Sequence, residues 1–142
     1  MGIILAIVAG ALMSVQGVFD TRVTESSSIW VTNAFVQITG FLVCISAWFF
    51  TGRQSFADLL KVDSKWYLTG GILGAFIVFG VVKGMSALGP AYAVMLILIA
   101  QLIIAYLIEL LGIFGTEQVQ FEWRKVIGVA VMIGGIILFK WK

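Results

Sequence analysis

The side chains that could do chemistry in this sequence are few, and most of them interrupt long apolar runs: Gln16, Asn33, Gln37, Gln101 and Glu109. Polar groups in hydrocarbon are costly, so inside a membrane they face a bundle interior or a watery cavity. Asn33, Gln37, Gly40 and Cys44 recur at steps of four, three and four residues, which at ~100° per residue keeps them within about 60° of one helix face. Gln16 closes a similar stripe of small residues running through Gly2, Ala6, Ala9 and Met13. Gln101 interrupts an aliphatic run near its middle, and Glu109 follows two turns later, ~12 Å along a helix axis and so near one rim. Amides at these places can hydrogen-bond a small solute, Gln37 and Gln101 near mid-membrane and Gln16 and Asn33 along one approach. A carboxylate at Glu109 can gate or couple to an ion or proton.

Each of these residues also has a purely structural reading. Buried amides often only join helices, at ~0.6 kcal/mol on average, and that reading competes for Gln16, Asn33 and Gln37. It explains Gln101 less well, because a long amide alone in an aliphatic helix has little to pack with. Glu109 could equally point into water or pair with a basic residue. Cys44 reads as a small buried filler. Lys83 points about 140° away from Gly70 and reads as a lysine whose stem lies along apolar surface while its head reaches water. Gly70, Gly74 and Gly84 form a narrow stripe suited to close helix packing.

Other chemistries drop out by composition. Histidine is absent and Cys44 is the single cysteine, so disulfide frameworks, zinc sites, iron–sulfur clusters and Ser–His triads are not expected. We therefore expect no catalytic residues, no metal and no cofactor. No G-x-x-x-x-G-K-[ST] motif occurs, so ATP is not the direct energy source within this chain. No inward carboxylate is read at mid-membrane, which favours neutral or zwitterionic solutes over cations.

The elements that must position these groups follow from hydropathy. The 142 residues are 61% hydrophobic and 11% charged, against about 25% charged in soluble domains, which points to an integral membrane protein. The net charge of +2 is spread between the apolar runs and gives no basic face for nucleic acid. A transmembrane helix needs ~20 mainly apolar residues, and five segments qualify: roughly Gly2–Phe19, Ile29–Phe50, Trp66–Leu88, Ala91–Gly112 and Trp123–Trp141. The fold class is thus all-α, a single domain of five transmembrane helices over residues 1–142. All five tryptophans, Trp30, Trp48, Trp66, Trp123 and Trp141, fall near span ends, where an amphipathic ring prefers the headgroup region. The first span lacks a basic flank and a cleavage site, and is expected to be retained. The connection Thr51–Lys65 reads as a short interfacial helix, and no 20–50-residue repeat is visible.

With five spans the basic residues divide almost evenly between the two faces. Arg53, Lys61, Lys65, Arg124 and Lys125 fall on one side; Arg22, Lys83, Lys140 and Lys142 fall on the other. Since Lys/Arg asymmetry sets orientation, so balanced a chain could insert both ways, and two copies could pair as an inverted repeat. A fixed orientation, or a separately encoded inverted partner, remains the competing expectation.

The ordered residues resemble a known family. Ser14-Val15-Gln16-Gly17 with Arg22 and Trp30, Gly70-Gly71-Ile72-Leu73-Gly74-Ala75-Phe76, Leu88-Gly89-Pro90-Ala91, Ala100-Gln101-Leu102 and Ile108-Glu109-Leu110-Leu111-Gly112 are similar to the YdcZ-type, half-size branch of the drug/metabolite transporter superfamily, over essentially the whole chain. Ala100 stands where the family commonly has Gly, Glu109 where it has Asp, and Asp20 where an Asn is expected. The resemblance implies a multi-pass protein of the bacterial inner membrane whose full-length relatives join two such units in opposite orientation. It implies a dimer of five-helix units, with an identical or a paralogous inverted partner, acting as a secondary transporter of a small metabolite or drug-like solute by alternating access. Trp30 and Tyr92 would line the vestibule. A non-transporting membrane subunit, in which the amides are only helix glue, is the alternative.

Overall fold

In the computed structural model, residues 1–141 are described, and they are helical throughout apart from short connections, with no strand among them. Helix α1 covers Gly2–Ser26, α2 Ile29–Thr51, α3 Gly70–Leu88, α4 Pro90–Leu111 and α5 Trp123–Lys140. The expected interfacial helix is replaced by two short 3₁₀ segments, Phe56–Lys61 and Lys65–Thr69, the second leading into α3.

Local chemistry sets the ends. Ser28 caps α2, its Oγ accepting from Val31 N at 3.3 Å, which satisfies one of the orphan donors of a first turn. Pro90 opens α4 at a position where its missing N–H costs nothing. Gly112 closes α4 in the left-handed region, φ 61°, with its N–H on Glu109 O at 3.3 Å and Ile113 N–H on Ile108 O at 3.3 Å, the geometry of a Schellman cap. A Cβ there would stand 3.0 Å from Gln118 Cβ, so conformation and space both call for glycine.

The first connection differs from the sequence reading. Instead of a loop from Asp20 to Ser28, α1 continues to Ser26 and only Ser27 and Ser28 separate it from α2. No glycine or proline interrupts that stretch, and the Thr21 and Thr24 hydroxyls donate back to Gly17 O at 2.7 Å and Asp20 O at 2.8 Å. Thr24 Oγ1 also reaches Thr32 Oγ1 at 3.0 Å, tying the end of α1 to the start of α2. The charge at Asp20 marks the end of the apolar run, not the end of the helix.

Helices α1 to α4 are long and apolar enough to cross a membrane, α3 together with its leading 3₁₀ turn. The fifth expected span is not among them. Helix α5 has 18 residues and contains Arg124, Lys125 and Lys140, so its uncharged part, Val126–Phe139, is 14 residues and about 21 Å at ~1.5 Å per residue. That is short of a ~30 Å hydrocarbon layer.

The chain divides into a unit from Met1 to Ala87, holding α1, α2 and α3, and a unit from Leu88 onward, holding α4 and α5. Burial is inverted relative to a soluble domain. Val82, Met85 and Ala93 are the buried hydrophobics among the described residues, whereas Asp20, Thr32 and Asn33 are buried polar ones. Large apolar side chains such as Ile7, Phe41 and Val43 face outward, as they do when the surroundings are hydrocarbon.

Candidate functional site

In the first unit the near-contiguous α1 and α2 form a hairpin, and the polar residues at their facing positions line an open groove of about 600 Å³. Gln16 and Asp20, one turn apart on α1, contribute an amide and a carboxylate, with Gln16 Nε2 donating to Asp20 Oδ2 at 3.4 Å. Helix α2 contributes Thr32, Gln37 and Gly40. The remaining walls are apolar apart from Thr39, whose hydroxyl faces the Phe35 and Val36 carbonyls of its own helix, with Phe19 and Phe35 the largest side chains. Gln16 and Gln37, singled out from the sequence, therefore border the same groove.

Asn33 has a different placement. It is 3% exposed, and its Nδ2 donates to Ala75 O on α3 at 2.6 Å, while its Oδ1 has no partner among the described residues. Trp30 stacks on Phe79 of α3 with ring centroids 5.3 Å apart and is otherwise exposed.

Close approach of helices occurs at Gly17. A Cβ on it would fall 2.5 Å from Met85 Cε and 2.9 Å from both Met85 Sδ and Val81 Cγ1, so the α1–α3 contact exists only because that position lacks a side chain. On α3 itself, a Cβ at Gly74 would meet Gln37 Nε2 at 3.3 Å, and one at Gly70 would meet nothing within 4 Å. Gly84 is half-buried.

In the second unit Glu109 Oε2 stands 3.9 Å from Lys125 Nζ, both side chains about half exposed. Lys125 Nζ also lies 4.9 Å from the centre of the Tyr106 ring, and Tyr106 Oη accepts from Glu122 N–H at 2.9 Å. Tyr106, Glu109 and Lys125 border a cleft of about 370 Å³ between α4 and α5. Gln101 is exposed on α4. Tyr92 receives the Lys140 ammonium 4.3 Å above its ring, worth roughly 0.5–1 kcal/mol at an exposed site.

Sequence reasoning passed over Asp20, because it ended the helix there. The signal was present: Gln16, Asp20 and Thr24 follow at steps of four, which in a continuing helix puts them on one face. Asp20 is 6% exposed. Chemically, the groove offers amide and hydroxyl hydrogen bonds and one carboxylate, and no group of three metal-ligating side chains exists among the described residues.

A family model described as "Putative inner membrane exporter, YdcZ" matches residues 1–138. No curated protein and no solved structure matches the chain.

Proposed function

This chain belongs to the YdcZ family of the drug/metabolite transporter superfamily, and from that premise we propose that it is a secondary transporter of the bacterial inner membrane. It exports a small solute by alternating access as a pair of five-helix units in opposite orientation. The observation that carries this reading is the α1–α2 groove, where Gln16, Asp20 and Gln37 gather between two helices long enough to cross a bilayer. Hydrocarbon does not tolerate such a set of polar groups unless a solute, water or a partner meets them.

In this reading Gln37 hydrogen-bonds the solute and Gln16 lies along its approach in the α1–α2 groove. Gln101 is a further solute-binding amide and Glu109 gates or couples, while Asn33, buried and bonded to Ala75 O, ties α2 to α3 instead of lining the approach. Trp30 and Tyr92 belong to the vestibule. Helix α5 is a fifth crossing, its Arg124, Lys125 and Lys140 reaching water from either end while the bilayer thins locally around its short apolar centre. The partner is a second copy, or a paralogous chain, inserted the other way up, as the near-even split of basic residues allows.

Efflux from inverted vesicles or proteoliposomes, screened over small amines, amino acids and drug-like solutes, tests the reading. A solute moved by the wild-type chain is expected to be moved at least tenfold more slowly by Gln37→Leu and by Gln101→Leu, with both variants folded. Unaltered transport by both would refute the solute-binding assignments. A chain that moves nothing, yet is required for the activity of another membrane protein, would instead be an accessory subunit.

A further inference from the structure

The groove holds a carboxylate whose surroundings lack a counter-charge. Asp20 is 6% exposed, so its burial is that of a core residue. Its side-chain neighbour is Gln16 Nε2 at 3.4 Å, a long, uncharged donor, and no lysine or arginine lies within ion-pair distance of it among the described residues. The nearest cation along its own helix, Arg22, is committed to Glu25 at 3.1 Å, on an exposed face. Buried carboxylates are ordinarily paired or bound to a cation, because the lost hydration of the charge must be replaced. Beyond the neutral amide of Gln37 and the hydroxyls of Thr32 and Thr39, the groove is apolar and aromatic, with Phe19 and Phe35 in its walls and a volume of about 600 Å³, within the ~300–1,000 Å³ usual for organic ligands.

We propose that Asp20 is the cation-binding residue of the groove, and that the solute is an organic ammonium whose charged head meets the Asp20 carboxylate while its apolar body lies against Phe19 and Phe35. The carboxylate supplies the counter-charge, Gln16 orients it, and the aromatic walls add attraction for a cation at their faces. This rests on the transport reading and narrows its substrate class. It also reverses the preference for neutral solutes drawn from the sequence, because that preference took Asp20 to be in a loop.

Equilibrium binding to the purified full chain in lipid nanodiscs tests the assignment without requiring transport. The probes are benzyltrimethylammonium, whose charge is permanent, and neopentylbenzene, its neutral isostere. Saturable binding of the ammonium is expected for the wild type, with neopentylbenzene at least tenfold weaker. Asp20→Asn should weaken ammonium binding at least tenfold, Asp20→Glu should restore part of it, and Glu25→Gln, which alters only the exposed pair, should leave it unchanged. The unfolding temperature of Asp20→Asn should equal or exceed that of the wild type, since the change removes an unpaired buried charge.

Should Asp20→Asn not fold, labelling of wild-type Asp20 by dicyclohexylcarbodiimide, read by mass spectrometry, gives the same answer: the ammonium should slow it and the isostere should not. Equal binding of charged and neutral probes, undiminished binding by Asp20→Asn, or labelling indifferent to the ammonium would each overturn the proposal. Normal ammonium binding with no transport would leave the site standing and remove the transporter reading.

Discussion

Asp20 and Glu109 carry the same group in unlike surroundings. Glu109 is half exposed and faces Lys125 at 3.9 Å, a separation and exposure at which an ion pair contributes about 0–1 kcal/mol. Glu109→Gln is therefore expected to shift the unfolding temperature by no more than a few degrees, so that a tenfold fall in efflux by the same variant would report on gating. Parallel thermal-unfolding and efflux measurements separate the two. Asn33 is the opposite case, fully buried with its Nδ2 spent on Ala75 O. Asn33→Ala should cost about 1 kcal/mol, within the ~0.6–1.7 kcal/mol measured for hydrogen bonds between membrane helices, seen as a lower midpoint in detergent unfolding.

Helix packing turns on position more than on glycine content. Gly17→Ala would drive a methyl into Met85 and Val81, and overpacking of this kind costs typically 1–3 kcal/mol, only partly offset by the ~1 kcal/mol that alanine gains in a helix. Gly10→Ala, on the same helix and with nothing within 4 Å, should be neutral or stabilising. Met85→Ala combined with Gly17→Ala should recover part of the loss, because residues in contact do not add independently. A full double-mutant cycle by thermal unfolding measures the coupling; no coupling would mean that α1 and α3 do not meet at Gly17.

At the scale of the whole molecule, the number of crossings and their direction decide how two copies can pair. Four crossings would put both termini on one side of the membrane, and five put them on opposite sides. Tags at each terminus, in cells expressing this chain alone, are expected to find either terminus on both sides, as a balanced five-crossing chain requires. Termini always on the same side would return α5 to the membrane surface. Adding lysines at Ser26 and Ser27 should force a single orientation; that variant is expected to be inactive alone and to regain efflux with a partner biased the other way.

The sequence alone determined the membrane class, the apolar centres of the first four spans and the family, though not where every helix ends, because a run of some twenty apolar residues is a property of the chain in one dimension and needs no neighbour to be read. It also picked out Gln16 and Gln37, since helical spacing puts them on definite faces. The tertiary structure decided which of these faces meet. Asn33 is held by a carbonyl 42 residues away, Gly17 by Met85 and Val81 on another helix, and Asp20 is buried because α1 runs on past Phe19 and α2 folds back beside it. Burial and counter-charge are set by what lies across the groove, and no local pattern encodes that.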